Sequence, residues 1–342
     1  MRELVDELCS EACAGRAPGS PEGARARAAV VRALRGAGLD PFEQPVPGCR
    51  GANVIATLPG DVDRWVIVGA HFDHLGRWKG EVFWGADDNA AAVAILAEVA
   101  KGAARRRPAG RGVAFVAFDG EEPPYFLTEA MGSRHFASRP PVPLERVDLM
   151  VCMDLVGHAL GPAGLPGEVR SSLFALGAER SAGTAARVDG LAAAEPGVVL
   201  RRVDAEAIPP LSDYEPFWRR RVPFLFLTAG RSRHYHSPSD TPETLDFAKM
   251  AATARWLDRF VRETCARPEG RVEFLQGARD DASTLRSVAA LTEALAPVSA
   301  EAALGRAEAL RLLALCDREG RLPGPCRPEA AALVMRLESA LA

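Results

Sequence analysis

The sequence predicts an α/β protein, a three-layer sandwich in which helices flank a central, mostly parallel sheet, followed by a helical C-terminal extension. Three short apolar runs support the sheet: WVIVGA (65–70), VAFVAF (113–118) and LMVCM (149–153). These runs are bounded by turn residues and alternate with segments of helical pattern, which is typical of buried parallel strands. Residues 270–342 have a different composition, rich in Ala, Leu, Arg and Glu, and their pattern favours two or three helices.

The remaining elements follow from capping residues, breakers and apolar spacing. We expect helices at 2–13, 24–38, 87–100, 131–139, 171–194, 212–221 and 244–265, and further strands at 52–60, 197–204 and 222–230. A chain of 342 residues can hold one large domain and a smaller addition. We therefore predict one α/β domain over residues 1–268 and the helical extension over residues 269–342.

Composition excludes several classes of function. A net charge of −3 gives no general attraction to nucleic acid or to an anionic membrane. Met1 is followed by RELVDEL, which lacks the apolar core of a secretory signal. The seven cysteines are odd in number and scattered, which is typical of free thiols in a reducing compartment. We expect a cytoplasmic protein without nucleic-acid or membrane partners, and its oligomeric state stays open.

Acidic and imidazole side chains follow each of the three apolar runs: His71 and Asp73, then Asp119, Glu121 and Glu122, then Asp154. The carboxyl ends of parallel strands meet at one edge of an open sheet, where ligands bind. Carboxylates and histidines gathered there repel one another and lose solvation unless a cation holds them. The sequence therefore predicts a metal site at this edge.

Five residues are candidate metal ligands: His71, Asp87, Glu122, Asp154 and His236. Their wide spacing matches no local metal motif, so the sheet must bring them together. Two imidazoles with several carboxylates suit a dinuclear zinc site. Co²⁺ and Mn²⁺ are compatible with the same nitrogen and oxygen donors.

Two further acidic residues have predicted supporting roles. Asp73, two residues after His71, can accept a hydrogen bond from the far ring nitrogen and fix the tautomer. Adjacent side chains at a strand end point in opposite directions. One residue of the Glu121–Glu122 pair can therefore hold metal while the other faces the substrate as a general base.

Several motifs together resemble the zinc aminopeptidases of the M28 peptidase family: GAHFDHLG, GADDNAAAVAIL, FDGEE followed by MGSRHFA, MDLVG and HYHSPSDTPE. The resemblance extends to GRAPGSPEG and SDYEPFWRRRVPFLFL and covers about residues 5–265, in family order. It implies an α/β fold with a mixed sheet and a site for two zinc ions.

The resemblance also assigns roles. His71 and Asp154 would hold one zinc, Glu122 and His236 the other, and Asp87 would bridge them. Glu121 would be the general base that deprotonates a zinc-activated water, and Asp73 would orient His71. Tyr235 would polarise the substrate carbonyl. The implied substrate is a peptide with a free N-terminus, cleaved at its first peptide bond.

Other functions remain open. A two-metal carboxypeptidase or small-amide hydrolase would use the same ligands, because metal ligands do not determine which end of a substrate binds. Glutaminyl cyclase shares the fold, but its pattern lacks the first His ligand, which His71 supplies here. A non-catalytic binding module would have lost ligands. The loop 123–130 departs from the family pattern, and residues 270–342 could cover the site, form a dimer surface or add packing.

Overall fold

The structure, a computed structural model, describes residues 1–268 and 270–342. Its strands are β1 (Phe42–Val46), β2 (Gly51–Leu58), β3 (Val62–His71), β4 (Arg77–Trp78), β5 (Glu81–Val82), β6 (Arg111–Phe118), β7 (Val147–Met153), β8 (Ser172–Leu176), β9 (Val199–Val203) and β10 (Phe224–Thr228). Strands β4 and β5 form a small hairpin. The described residues build one main sheet of eight strands, in the order β1-β2-β6-β3-β7-β10-β8-β9.

The centre of this sheet is parallel. Strands β6, β3, β7 and β10 run in one direction, and β8 pairs with β9 in parallel. The β1–β2, β2–β6 and β8–β10 pairs are antiparallel. The sheet is therefore mixed and mostly parallel, as predicted. Its four central parallel strands end at the same edge.

The helices are α1 (Arg2–Leu8), α2 (Pro21–Gly36), α3 (Ala91–Arg105), α4 (Gly132–Ser138), α5 (Gly167–Arg170), α6 (Thr184–Gly190), α7 (Glu215–Arg219), α8 (Phe247–Cys265), α9 (Asp281–Leu295), α10 (Ala300–Leu313) and α11 (Arg327–Leu341). Each is too short or too polar to cross a membrane, within residues 1–268 and 270–342. All seven cysteines lie in the described chain, and each is a free thiol.

Both faces of the sheet are covered. On β3, Val66 and Val68 pack into a core with α1, α2, α3 and α8, whereas Ile67 packs into the opposite core with α4 and α7. Alternate side chains of a strand point to opposite faces, so a strand buried on both faces must be apolar throughout. The continuous WVIVGA run of β3 is explained by this position, and the predicted three layers are confirmed.

One predicted helix is wrong. Residues 171–194 contain β8, a turn and the short helix α6 instead of one long helix. Leu173 and Ala175 pack into the core on one side of β8, and Leu176 packs on the other. Gly177 then ends the strand with a φ of 87°, a left-handed conformation that glycine adopts readily. The Ala- and Ser-rich composition concealed a strand of only five residues.

The C-terminal extension consists of α9, α10 and α11 and is joined to the sheet through a buried carboxylate. Asp148 on β7 accepts hydrogen bonds from Arg64 Nε (2.7 Å), Arg111 Nε (2.5 Å) and the backbone N–H of Val272 (2.9 Å). The hydrogen bond from Val272 thus fixes the chain before the extension helices against β7, at a carboxylate that two arginines hold in place. Residue 269, where we predicted the extension to begin, lies outside the described residues, so the boundary stays a prediction.

Candidate metal centre

The carboxyl ends of β6, β3, β7 and β10 bring most of the predicted site residues together. His71 is the last residue of β3, and Asp154 directly follows β7. Glu121 and Glu122 follow β6 after a turn, and His236 lies on the loop after β10. All of these side chains are buried except that of His236, which is 30% exposed. The four strand ends thus gather imidazoles and carboxylates in one place.

Each histidine faces a pair of carboxylates. His71 Nε2 lies 3.4 Å from Asp88 Oδ1 and 3.4 Å from Asp154 Oδ1. His236 Nε2 lies 3.1 Å from Asp88 Oδ2 and 3.2 Å from Glu122 Oε2. The two sets therefore share Asp88, which presents one carboxylate oxygen to each histidine.

Asp88, not Asp87, lies between the two histidines, so the geometry favours Asp88 over the predicted Asp87 as the shared ligand. The Asp87 carboxylate accepts hydrogen bonds from the backbone N–H of Gly157 (2.7 Å) and His158 (3.0 Å), and its other oxygen lies 2.7 Å from His158 Nδ1. Residues 86–90 form an irregular turn before α3, with non-helical backbone at Asp88 and Asn89, so successive side chains diverge. The sequence located the correct turn through its two adjacent aspartates, but it could not show which of them faces the histidines.

Asp73 supports the site differently from the prediction. Its two carboxylate oxygens accept the backbone N–H groups of Glu121 and Glu122, both at 3.1 Å. His71 Nδ1 lies 3.3 Å from the backbone oxygen of Asp73 and 3.7 Å from the carboxylate. Asp73 therefore fixes the glutamate pair with its side chain and meets the His71 ring mainly with its backbone carbonyl.

The glutamate side chains diverge, as the strand-end geometry predicts. Glu121 Oε2 lies 3.8 Å from His71 Nε2. Glu122 turns to the other side, where its second oxygen, Oε1, lies 2.8 Å from His74 Nδ1. His74 is fully buried and its ring meets that of His236 edge-on, at 5.9 Å between centroids. The sequence analysis assigned His74 no role, although it stands three residues after His71 in GAHFDHLG.

Burial and neighbouring charges shift the pKa values of Glu121 and His71. Burial raises the pKa of Glu121 well above its usual value, and the Asp154 and Glu122 carboxylates add to this effect against the opposing influence of His71. Burial alone would lower the pKa of His71, but the carboxylates of Glu121 and Asp154 outweigh it and raise that pKa. The buried glutamate thus holds a proton more readily than an exposed one.

Glu122 and His236, which face each other in the second set, have pKa values shifted in opposite directions. Burial alone would raise the pKa of Glu122, but hydrogen bonds with His236 and His74 hold it well below its usual range. Burial opposes the charged form of His236, yet Asp88 and Glu122 raise its pKa to about 10. Burial and the Glu122 charge raise the pKa of Asp88 to about 6. Such perturbation is typical of functional sites.

A buried arginine joins the backbone segments that carry the cluster. Arg16 donates hydrogen bonds to the carbonyl oxygens of Phe72 (2.6 Å), Trp84 (2.5 Å), Gly85 (2.5 Å) and Asp88 (3.2 Å). Its side chain is completely buried. It therefore ties the chain after β3 to the irregular turn that carries Asp88. Sequence reasoning included Arg16 in the motif GRAPGSPEG but assigned it no role.

The cluster opens into a pocket of about 190 Å³. Tyr235 lines it and stacks on His236, with 3.9 Å between ring centroids. Burial and the surrounding carboxylates raise the pKa of Tyr235 above its usual value, so its hydroxyl keeps the proton. Pro123 and Phe126 from the loop 123–130 also line the pocket, so this loop does shape it.

The donor set fits divalent metal ions. His71 Nε2 and Asp154 Oδ1 are buried and make no hydrogen bond within the described residues. The same carboxyl-rich cluster offers two groups whose ligand atoms lie within 4.8 Å of one another: His71 with Asp88 and Asp154, and His74 with Asp88 and Glu122. Buried carboxylates and imidazoles require compensating charge, and nitrogen with oxygen donors suits zinc.

A comparison of the sequence with known families decides the relationship. The profile described as Peptidase family M28 matches residues 53–261, well over half of the chain, and this range contains every residue of the cluster. The chain belongs to peptidase family M28. Its architecture is that of metallopeptidases of this family, and the M28 match ends before the C-terminal extension.

Proteins similar to this chain carry different names. The uncharacterized protein YfbL of Escherichia coli is 29% identical over 238 residues, which is 63% of this chain and 72% of that protein. The glutaminyl-peptide cyclotransferase of Boiga irregularis is 27% identical over 72% of this chain and 77% of its own. The LapA aminopeptidase structure from Legionella pneumophila has a TM-score of 0.64 at 16% identity, covering 79% of this chain and 73% of that one. At that identity the structural likeness shows the fold.

Proposed function

We propose that this protein is a two-zinc aminopeptidase that hydrolyses the N-terminal peptide bond of peptides. The observation that carries the proposal is the position of Asp88, whose two oxygens face two separate histidine–carboxylate sets. A carboxylate shared in this way suits two adjacent cations, since two-metal hydrolases hold their ions about 3.5–4 Å apart.

The described residues divide between the two proposed ions. His71 and Asp154 would hold one, Glu122 and His236 would hold the other, and Asp88 would contact both in place of Asp87. When bound, zinc supplies Lewis-acid chemistry, lowering the pKa of a water and polarising a carbonyl.

Glu121 is suited to proton transfer. It lines the pocket beside the two sets, and its position is fixed because its backbone N–H donates to Asp73. A carboxylate at this position, beside both sets, can accept a proton and release it again during the reaction. In the proposed reaction Glu121 accepts a proton from the attacking water and delivers it to the leaving amine.

Tyr235 is suited to stabilise negative charge on the substrate. Its ring is held against His236, its side chain is partly exposed in the pocket, and its hydroxyl stays protonated. A protonated hydroxyl can donate a hydrogen bond to the carbonyl oxygen as charge develops there.

The charged groups of the pocket offer little to bind the carboxyl end of a substrate. Of the five carboxylates in its described lining, Asp88, Glu122 and Asp154 would hold zinc, and Glu338 pairs with Arg231 through two hydrogen bonds. Glu121 is left to face a substrate ammonium, and the Arg231 guanidinium already has a carboxylate partner, whereas a carboxypeptidase needs a cation for the terminal carboxylate. This supports an aminopeptidase over a carboxypeptidase.

Glutaminyl cyclisation is the second candidate, because relatives named glutaminyl-peptide cyclotransferase align with 72% of the chain. A single-zinc cyclase needs one ligand set. Here the buried His71 completes a second set with Asp154, which favours the two-metal hydrolase. A peptide with N-terminal glutamine separates the two: a hydrolase releases glutamine, and a cyclase releases ammonia.

The decisive experiment combines metal content with a substrate panel. We expect about two zinc ions per chain and cleavage of amino-acid p-nitroanilides, with N-acetylated equivalents left intact. Glu121→Gln should keep the metal content and lower turnover by roughly 100- to 10,000-fold, the usual contribution of a general base. Glu129→Gln, at an exposed position of the nearby loop, is the matched control and should behave like the parent protein. Cleavage of the acetylated substrates would refute the aminopeptidase assignment.

A further inference from the structure

A second cavity of about 90 Å³ lies beside the catalytic pocket, between the sheet and the C-terminal extension. Phe174 and Leu176 of β8 line one side, Leu291 of α9 lines another, and Leu337 and Leu341 of α11 close it. Its lining is almost entirely apolar. One part of this lining lies in the region matched to family M28, and the other lies in the extension beyond it.

The cavity adjoins the catalytic pocket through a shared wall formed by Ile208, Thr228, Gly230, Arg231 and Glu338. Arg231 Nε and a terminal nitrogen lie 2.9 and 3.1 Å from the two oxygens of Glu338. A Cβ built on Gly230 would meet no other described atom within 4 Å. The glycine therefore leaves open space in the wall, next to an ion pair whose charges compensate each other.

Helix α11 is patterned for this position. Val334, Leu337, Glu338 and Leu341 follow the spacing of one helical face, and all four line the cavity. Met335 lies on the outer face and is 61% exposed. The helix thus presents three apolar side chains to the cavity and one carboxylate to the boundary with the catalytic pocket.

We infer that helix α11 completes the substrate pocket, and that the apolar cavity receives a long aliphatic side chain of the first substrate residue, of the size of leucine or methionine. This inference rests on the proposed function. The paired charges of Arg231 and Glu338 make the entrance unsuitable for a charged side chain, because a third charge there would be unpaired.

The size of the cavity agrees with that occupant. About 10–15 Å³ of such space holds one water, and an engineered apolar cavity of about 150 Å³ binds benzene. A space of about 90 Å³ is thus large enough for several carbon atoms and small for an aromatic ring. Apolar pockets discriminate by roughly 10- to 200-fold for a missing methylene. We expect leucine to be preferred over alanine by at least about 10-fold.

Filling the cavity tests the inference. In Leu337→Trp the indole should occupy the cavity together with the space vacated by the leucine side chain. It should lower kcat/KM for leucine p-nitroanilide by about 10-fold or more, while kcat/KM for alanine p-nitroanilide stays within about twofold. Met335→Trp adds the same side chain to the exposed face of the same helix and should change neither value. Val334→Phe is the second filling variant if Leu337→Trp does not fold, as judged by circular dichroism.

A binding measurement separates this inference from the proposed function. Calorimetric titration with the free amino acids should show that the parent protein binds L-leucine more tightly than L-alanine, and that Leu337→Trp removes the difference. If no amide substrate is cleaved but this pattern holds, the proposed function fails and the pocket stands. Equal losses for leucine and alanine, or no change in either assay, would overturn the inference.

Discussion

The edge of the sheet and the C-terminal extension are built in opposite ways. At the sheet edge, charged side chains are held in place by hydrogen bonds with backbone groups. The Asp73 carboxylate, for example, accepts hydrogen bonds from the backbone N–H groups of Glu121 and Glu122. In the extension, α9 and α11 contribute apolar side chains to a cavity, and large apolar groups such as Leu304 are exposed on α10. The difference teaches that the strand ends carry the candidate metal ligands, whereas helices outside the M28 match supply the apolar wall of the neighbouring cavity.

The largest expected effect tests which aspartate belongs to the cluster. Asp88→Asn should lose at least one metal ion per chain and reduce aminopeptidase turnover by several orders of magnitude, because Asp88 faces both histidines. Asp87→Asn is the matched neighbour. It removes a carboxylate that anchors the irregular turn to Gly157 and His158, and it should weaken metal binding less than Asp88→Asn does, without abolishing it. Elemental analysis and zinc titration measure both variants.

The opposite ranking would restore Asp87 as the bridging residue. Such a result would mean that the irregular turn at residues 86–90 takes another conformation when metal is bound.

The next effect concerns the junction between the two regions. Asp148 is fully buried and joins Arg64 and Arg111 to the backbone of Val272. Asp148→Asn removes the buried negative charge that Arg64 and Arg111 contact and should lower the free energy of unfolding by about 3–5 kcal/mol at neutral pH. Urea denaturation followed by circular dichroism measures the change.

This contribution should depend on pH in a defined direction. Burial alone would raise the pKa of Asp148, but hydrogen bonds from Arg64 and Arg111 lower it below its ordinary value. A lowered pKa stabilises the folded state above the unfolded value of about 3.9, and that stabilisation disappears as pH falls through the folded value. The gap between Asp148→Asn and the parent protein should therefore begin to narrow below about pH 4 and close only as pH falls through the lowered folded pKa. A gap that stays constant would mean that Asp148 is not ionised in the folded protein.

The smallest effect concerns the outer face of the extension. Leu304 on α10 is 73% exposed, so Leu304→Gln should change the free energy of unfolding by less than about 0.5 kcal/mol. Sedimentation velocity of the same variant tests the predicted alternative of a dimer surface. A shift from dimer to monomer would show that this face is covered in solution.

Periodicity and turn residues were sufficient to predict the sheet and the edge at which the site lies. The runs of β3 and β6 are apolar at every position, which is typical of strands buried on both faces. Acidic and imidazole side chains directly follow these runs. His71 and His236 were placed correctly at this edge because loops after parallel strands converge. Their role as metal ligands stays a prediction.

Features that depend on backbone phase or distant packing could not be predicted. Asp87 and Asp88 have the same chemistry, and the irregular turn decides which of them faces the histidines. The strand β8 was hidden by residues of high helix propensity. The cavity beneath Leu337 exists because α11 packs near Gly230, more than a hundred positions earlier in the sequence. No local pattern encodes that contact.

The carbonyl groups to which Arg16 donates hydrogen bonds set a practical limit on how short a working version of this protein can be. The M28 match begins at residue 53, so a fragment cut to that boundary would lack the guanidinium. The oxygens of Phe72 and Asp88 would then be stranded away from water, and the turn that presents Asp88 would lose its anchor. Expression of the catalytic part should therefore retain the first fifty residues, although none of the candidate metal ligands lies among them.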